Sequence, residues 1–322
     1  MTRPPADDTT ALATRRSLGG LRSAAVGDVR ERRVPGSQPG IEIAVLDWGG
    51  SGPLALLHHA NGFCAGLWDE VAVGLRRRFR VLAIDARGHG DSSKPESPEA
   101  YAWHHFVEDL ACVGRRLADD EGGGRIGLGI GHSFGGAALL TAAARGPDLF
   151  DSLLLLDPVL IGNLPRPAVP KGIAPGPLLA ERTRRRRAVW PSRAEALEAW
   201  ENHAFFVAWT PEARELYARW GLRERPDGQV ELKCPPALEA AVFENGGTLF
   251  PLEEVHRIQA PTLFVHADRG TFSLATYRLL AERMPRASVE SHGLGHLMLM
   301  EDPRAVVEIA LSFADAAQDS TG

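Results

Sequence analysis

The residues with the clearest chemical potential are 131–135, whose sequence GHSFG has the form G-x-S-x-G. An apolar run (126–130) precedes them and a run of small residues (137–144) follows, which predicts a strand, a sharp turn and a helix. Such a turn leaves no space for side chains beside the serine, so the two glycines are required and the serine hydroxyl is exposed on a strained backbone. The following helix would direct free N–H groups and its positive dipole end at the same place. The pattern predicts that Ser133 is a nucleophile.

A serine nucleophile needs a base that accepts its proton and an acid that orients the base. His296 ends the sequence GLGH (293–296), whose glycines suit a loop able to bring an imidazole to the serine. A lone histidine is more often structural, but its position after the last predicted strand favours the role of base. The expected chain order is serine, acid, histidine. By analogy with that order we expect Asp268 to be the acid. Asp157 is the alternative, although Asp157-Pro158 could simply be the exit from a strand.

An oxyanion that forms during attack by a serine needs two hydrogen-bond donors. One is expected to be the backbone N–H of Phe134, the residue after the nucleophile. The other should come from the loop HANGF (59–63), which follows an apolar run. We expect the N–H of Phe63 to be this donor, with Gly62 permitting the turn and Asn61 adding a side-chain contact to the substrate. A glycine in this loop could also serve the turn alone.

Together with the loop DARGHGDS (85–92), these motifs make the chain resemble the α/β-hydrolase family. The resemblance covers residues 29–317 apart from an inserted cap, which varies widely in that family. Many members carry His-Gly at the oxyanion loop, where this chain has Asn61-Gly62, but the glycine and the N–H after it are retained. Epoxide hydrolases and haloalkane dehalogenases of this fold use an aspartate nucleophile, so Ser133 argues against both.

Eight short apolar runs alternate with helical patterns, which predicts an α/β fold with a mostly parallel eight-stranded sheet and helices on both faces. The first two runs alternate in polarity and are expected to pair antiparallel at one edge. The later runs are continuously apolar, as expected of central parallel strands. The eight runs are 29–34, 41–48, 54–58, 81–85, 126–130, 153–157, 262–266 and 288–291.

The segment 162–250 interrupts this alternation. It begins with five prolines and contains two helix starts, a capping box from Ser192 to Glu195 and the pair Thr210-Pro211. Its position between two strands predicts a helical cap over the carboxyl edge of the sheet, where open α/β sheets bind ligands. Some of the cap aromatic residues are expected to contact the substrate, namely Trp200, Phe205, Phe206 and Trp209. The expected organisation is a disordered lead (1–28), a core in two halves (29–161 and 251–317), the cap (162–250) and a tail (318–322).

Composition limits the remaining functions. The chain has 322 residues with a net charge of −5, so nothing favours a nucleic acid or a membrane as partner. Three scattered cysteines form neither a disulfide framework nor a zinc pattern, which favours a reducing compartment, and we expect a cytoplasmic protein. The arginine run 182–187 is expected to be a solvated face of the cap. No metal, no cofactor and no partner other than a small-molecule substrate is implied, and the oligomeric state stays open.

The sequence therefore predicts a serine hydrolase that cleaves an ester, or a similarly activated carbonyl bond, of a small and fairly apolar molecule through an acyl-enzyme. The same residues could instead support a carbon–carbon bond hydrolase, a lactonase, a thioesterase or an acyltransferase. The alternative from another class is a ligand-binding receptor that has lost catalysis on the same scaffold.

Overall fold

The computed structural model describes residues 29–160, 176–246, 254–270 and 272–319. The strands are β1 (Arg30–Pro35), β2 (Glu42–Gly49), β3 (Leu54–His58), β4 (Arg80–Ile84), β5 (Leu128–His132), β6 (Leu153–Leu156), β7 (Val189–Trp190), β8 (Leu222–Glu224), β9 (Val230–Leu232), β10 (Thr262–Ala267) and β11 (Ala287–His292). The α-helices are α1 (Asp69–Leu75), α2 (Trp103–Asp120), α3 (Phe134–Arg145), α4 (Gly176–Arg184), α5 (Arg193–Glu201), α6 (Pro211–Trp220), α7 (Pro236–Glu244), α8 (Leu274–Ala281), α9 (Met298–Glu301) and α10 (Pro303–Asp319). The expected N-terminal lead lies outside the described residues.

The main sheet has eight strands in the order β1-β2-β4-β3-β5-β6-β10-β11. β1 and β2 pair antiparallel with each other, and β2 pairs antiparallel with β4. Every further pair is parallel. Each of the eight runs expected from the sequence forms one of these strands, so the predicted fold class is confirmed. β5 begins two residues later than its apolar run and extends through His132 to the bend.

Helices on both faces explain why the central strands are apolar on every side. β3, β5 and β6 are buried along their whole length. One apolar cluster joins the sheet to α1 and α10, and a second joins the opposite face to α2, α3 and α8. A strand made only of Leu, Ile and Val is buried on both sides when helices cover both faces of its sheet, as they do in parallel sheets.

The segment between β6 and β10 contributes a separate layer, which we call the insert and define as residues 176–246. It contains α4 to α7 and a small antiparallel sheet in the order β7-β9-β8. Two of its helices begin at the expected caps: the Ser192 hydroxyl accepts the N–H of Glu195, and the Thr210 hydroxyl accepts that of Ala213. Strands of two or three residues are too short to leave a periodic pattern, so the sequence did not predict this sheet.

The insert packs onto loops at the carboxyl edge of the main sheet. A side chain at Gly66, in the segment after β3, would lie 2.1 Å from the ring of Trp220, so the α6 helix approaches this segment closely enough to require glycine. The N–H of Thr210 donates to the carbonyl of Met300 in α9 at 2.9 Å. Among the described helices, none combines the length and apolar character needed to span a membrane.

Candidate active site

Ser133 occupies the bend between β5 and α3 with φ 54° and ψ −113°. A positive φ is unfavourable for a residue with a side chain and persists only where neighbouring structure fixes it. Here the Ser133 N–H donates to the carbonyl of Leu156 in β6 at 2.9 Å. A Cβ at Gly135 would lie 2.4 Å from the carbonyl oxygen of His58, and one at Gly131 would lie 2.6 Å from that of Gly135. Both glycines of the motif are therefore needed for the bend.

His296 connects this serine to a buried carboxylate. Its Nε2 lies 3.0 Å from Oγ of Ser133, and its Nδ1 lies 2.6 Å from Oδ2 of Asp157. Asp157 is completely buried, whereas the imidazole keeps 27 % of its surface exposed. Because an ionised carboxylate only accepts hydrogen bonds, Nδ1 carries the proton and Nε2 is left to accept from the serine hydroxyl. This tautomer is the one that a general base for serine requires.

The carboxylate in contact with His296 is not the one that the sequence favoured. Asp268 is exposed after β10, and its side chain makes no hydrogen bond within the described part of the chain. The sheet order gives the physical reason, because β6 is the direct neighbour of β5 whereas β10 lies one strand further away. Asp157, at the end of β6, is therefore one strand spacing from the serine. The acid assignment to Asp268 is corrected to the alternative, Asp157.

Asp157 is held in place by groups from two other elements. Its φ is 42°, which turns the chain sharply out of β6. Oδ1 accepts the N–H of Ala267 at 3.2 Å and lies 3.0 Å from the hydroxyl of Tyr277, which donates to it. Burial raises the pKa of Tyr277 well above its ordinary value, so this hydroxyl stays a donor. These contacts leave Oδ2 free to face the imidazole. No sequence pattern indicated the role of Tyr277.

His132, directly before the nucleophile, contacts the backbone of the base. Its Nε2 lies 2.7 Å from the carbonyl oxygen of His296, so the Nε2–H donates to it. Burial lowers the pKa of His132 to about 3, and the neutral ring carries this proton on Nε2. The loop that carries His296 is thereby tied to the end of β5.

The loop after β3 differs in one respect from expectation. The N–H of Phe63, expected to face the oxyanion, donates instead to the carbonyl of Ala60 at 3.2 Å and closes a turn. Gly62 has φ 82°, as the third position of such a turn requires, and its own N–H donates to Nε2 of His89 at 3.0 Å. Within the described residues, the N–H of Asn61 has no acceptor. The N–H of the expected donor Phe63 is thus used within the loop in this structure, whereas that of Asn61 is not.

The other expected donor is the N–H of Phe134, the residue after Ser133. Phe134 is the first residue of α3, and the first N–H groups of a helix have no partner within it. The two loops lie side by side because β3 and β5 are neighbours, with His58 paired to Gly131. Free N–H groups from Asn61 and Phe134 are thus available at the same sheet edge as Ser133.

The insert forms hydrogen bonds with the loop 59–63, which we call the oxyanion loop. The Tyr217 hydroxyl donates to the carbonyl of Gly62 at 3.2 Å, and the Asn61 side chain donates to the backbone carbonyl of Glu239 at 3.1 Å. Arg186 joins these groups, since it lies 2.5 Å from the Glu239 carboxylate and 3.0 Å from the Tyr217 hydroxyl. Burial raises the pKa of Glu239, while the guanidinium of Arg186 opposes this rise. Asn61 therefore contacts the insert through its side chain.

The four aromatic residues expected to meet the substrate lie in one cluster of the insert. Trp200, Phe206 and Trp209 are buried, and Phe205 is 46 % exposed. The rings of Trp200 and Phe206 are stacked with centroids 5.1 Å apart. Phe205 and Trp209 lie against the ring of Phe63, at 6.5 and 5.5 Å. Three of the four, all except Trp209, line a cavity of about 660 Å³ in the insert.

Potential metal ligands come together at one place in the described residues. His104, His105 and Glu108 lie at the start of α2 with their ligand atoms within 4.8 Å of one another.

An eight-stranded, mostly parallel sheet with a serine at the bend between a central strand and a helix is the architecture of α/β hydrolases. The chain belongs to the alpha/beta hydrolase family, whose family model matches residues 55–309. This membership confirms the family that the resemblance of its motifs implied.

Curated relatives match over part of their length. A 2-(acetamidomethylene)succinate hydrolase of Mesorhizobium japonicum is 36 % identical over 108 residues, 34 % of this chain and 36 % of that protein. A bifunctional esterase/perhydrolase of Acinetobacter calcoaceticus is 31 % identical over 114 residues, 35 % of this chain and 39 % of the relative. A type I acyl-CoA thioesterase of Penicillium roqueforti is 37 % identical over 100 residues, 31 % of this chain and 22 % of the relative. The matched segments thus span well under half of each relative.

Solved structures show the same fold over most of the chain. The crystal structure of E-2-(acetamidomethylene)succinate hydrolase aligns with a TM-score of 0.71 at 23 % identity and covers 89 % of this chain and 99 % of that one. The thioesterase domain from the curacin biosynthetic pathway aligns with a TM-score of 0.71 at 22 % identity, covering 88 % and 99 %.

Proposed function

We propose that the protein is a serine hydrolase that cleaves an ester, or a similarly activated carbonyl bond, of a small and fairly apolar molecule. The observation that carries this proposal is the contact of one imidazole with both partners, 3.0 Å from Nε2 of His296 to Oγ of Ser133 and 2.6 Å from Nδ1 to Asp157. A hydroxyl, a base in the correct tautomer and a buried orienting carboxylate are the parts that nucleophilic acyl transfer needs.

In the proposed mechanism, Oγ of Ser133 attacks the carbonyl carbon while Nε2 of His296 takes the hydroxyl proton. The carboxylate of Asp157 stabilises the imidazolium that forms. The N–H groups of Asn61 and Phe134 stabilise the negative charge that develops on the carbonyl oxygen. His296 then protonates the leaving group, and water, activated by the same imidazole, hydrolyses the acyl-enzyme and frees the serine.

The insert acts as a cap in this proposal, and its aromatic residues favour an apolar or aromatic substrate part. The names of the relatives, a hydrolase, an esterase and a thioesterase, support hydrolysis at a carbonyl group. A thioester is the second candidate, because both a curated relative and a structural neighbour are named thioesterases. A cytoplasmic location is also part of the proposal, since all three cysteines are unpaired.

A fluorophosphonate probe tests the nucleophile directly. We expect it to label the folded protein at Ser133 and to leave the Ser133→Ala variant unlabelled. p-Nitrophenyl esters of graded chain length, compared with the corresponding thioesters, then identify the preferred bond. Absence of labelling together with absence of turnover of every ester would instead favour a ligand-binding receptor on the hydrolase scaffold.

A further inference from the structure

A cavity of about 660 Å³ lies within the insert, between α4, α5 and α7. Its apolar wall is formed by Trp190, Trp200 and Phe206, all buried, and by the more exposed Phe205. This volume is in the range of sites that bind small molecules, and aromatic walls of this kind contact flat or flexible apolar groups.

The rim of the same cavity is cationic. Four arginines line it, Arg182, Arg185, Arg186 and Arg187. Arg186 is neutralised by the Glu239 carboxylate at 2.5 Å, and Arg185 forms an ion pair with Glu181.

Arg182 and Arg187 have no carboxylate within ion-pair distance in the described part of the chain. The Arg187 guanidinium donates through Nε to the carbonyl of Val189 at 2.8 Å and lies 5.5 Å from the ring centre of Trp190. Its other nitrogens stay available. Two guanidinium groups without a carboxylate partner at the edge of an apolar cavity favour an anion, and a carboxylate can accept two parallel hydrogen bonds from such a group.

The cavity is separated from the oxyanion loop by one layer of side chains. Glu239, which lines it, packs on Gly62 so closely that a Cβ there would lie 2.5 Å from the Glu239 Oε1. Phe205, which also lines it, stacks on Phe63 with ring centres 6.5 Å apart. Glu239 and Phe205 thus both line this cavity and contact the loop 59–63.

We propose that the cavity binds the part of the substrate remote from the scissile bond, and that this part is an apolar or aromatic group bearing a carboxylate. The apolar portion contacts Trp200 and Phe206, and the carboxylate pairs with Arg182 and Arg187. The substrate class is thus an acyl compound with a free acid group, which narrows the proposed function and depends on it. Arg182 and Arg187 determine the preference for a substrate with a negative charge, and Ser133 cleaves the scissile bond.

Substrate preference tests the inference. The substrates are mono-p-nitrophenyl esters of straight-chain diacids from adipate to sebacate, each paired with the alkanoate ester in which a methyl group replaces the free carboxylate. We expect the wild-type enzyme to have the higher kcat/KM for the acid member at one or more chain lengths. The double variant Arg182→Gln, Arg187→Gln should lose this preference, by roughly fivefold for each arginine, the upper range for an exposed ion pair. Its kcat/KM on the alkanoate esters should change less than its kcat/KM on the acid esters.

Matched variants separate the site from general charge. Arg184→Gln removes the same charge from the same helix, but Arg184 pairs with Glu244 and does not line the cavity, so the preference should persist. Arg187→Lys retains the charge but not the two parallel N–H donors, so it should keep only part of the preference. High salt should weaken the preference in the wild type, because Arg182 and Arg187 are exposed. Equal preference in the double variant and the Arg184→Gln control would overturn the inference.

A binding arm makes failure of this inference distinguishable from failure of the proposed function. Ser133→Ala protein is titrated with 4-phenylbutyrate and with the neutral 4-phenylbutanol by calorimetry. We expect tighter binding of the carboxylate, and loss of that difference when Arg182 and Arg187 are also replaced by glutamine. Turnover of esters without any effect of the arginines would refute only the subsite. Carboxylate binding without labelling of Ser133 or ester turnover would refute only the hydrolase.

Discussion

Replacing Asp157 by asparagine tests the corrected acid assignment most directly. The side chain keeps its size, and asparagine tolerates the positive φ of 42° at this position. The N–H of Ala267 and the hydroxyl of Tyr277 both approach Oδ1 of Asp157 as donors. They fix the orientation of the new amide, because its oxygen must accept from them and its NH₂ group must then face His296.

The expected loss follows from this orientation. An amide NH₂ facing Nδ1 forces the imidazole to carry its proton on Nε2, so the nitrogen 3.0 Å from Ser133 can no longer accept the serine proton. In serine hydrolases this exchange of tautomer lowers kcat by about 10⁴, which corresponds to about 5.5 kcal/mol of barrier. We therefore expect Asp157→Asn to lower kcat on a p-nitrophenyl ester by about this factor, with little change in KM.

Asp268→Asn is the matched control. Asp268 is exposed, and an exposed substitution changes free energies by about 0.5 kcal/mol or less, so its kcat should stay within about twofold of the wild type. The assay compares steady-state kcat and KM of both variants after thermal melts have shown that both are folded. A larger loss for Asp268→Asn than for Asp157→Asn would refute the geometric argument and restore the acid that the sequence favoured.

Three further outcomes are expected. Ser133→Ala should abolish ester turnover while its melting temperature stays near that of the wild type, because alanine removes only the hydroxyl. Gly135→Ala should destabilise the protein by about 1–3 kcal/mol in urea unfolding and lower activity, since the new Cβ would lie within 2.6 Å of the carbonyl oxygens of His58 and His59. The control Gly293→Ala, with nothing within 4 Å, should be nearly neutral. Burial lowers the pKa of His58 to about 3 and that of His59 to about 4, from the ordinary 6.5. Between pH 6.5 and 4 the unfolded chain therefore binds protons that the folded chain does not. As the pH is lowered through that window, the free energy of unfolding should decrease by about 1.4 kcal/mol per pH unit for each histidine, measured by urea unfolding. A flat profile would mean that these rings are protonated in the folded state.

The sheet could be predicted from the sequence because the residues of a strand indicate by their polarity whether the strand is buried. A run such as 153–157 is apolar throughout, and only a central parallel strand needs that pattern. The elbow could be predicted for a similar reason, since the bend at Ser133 and the glycines that permit it are adjacent in the chain. Local chemistry was sufficient for both.

The choice of the acid and of the oxyanion donor in the loop 59–63 depends on the tertiary structure and not on the neighbouring sequence. Asp157 and Asp268 both follow strands and both satisfy the chain order, and only the position of β6 beside β5 distinguishes them. The donor depends on which N–H of the loop closes its own turn. Gly62 takes the position with positive φ, so the N–H of Phe63 is used internally and that of Asn61 is left free.

The arginines between 182 and 187 are a further case in which the sequence alone does not predict the surroundings of each side chain. Five arginines between 182 and 187 are chemically identical in the sequence, and all of them except Arg186 are exposed, as expected of a solvated face. Arg186 lies just beyond the end of α4, where helical spacing no longer determines the direction of a side chain, and it enters the insert to meet Glu239 and Tyr217. Those partners follow in the sequence by 53 and 31 residues. The charge that links the insert to the oxyanion loop is therefore defined by the tertiary fold and not by the run that contains it.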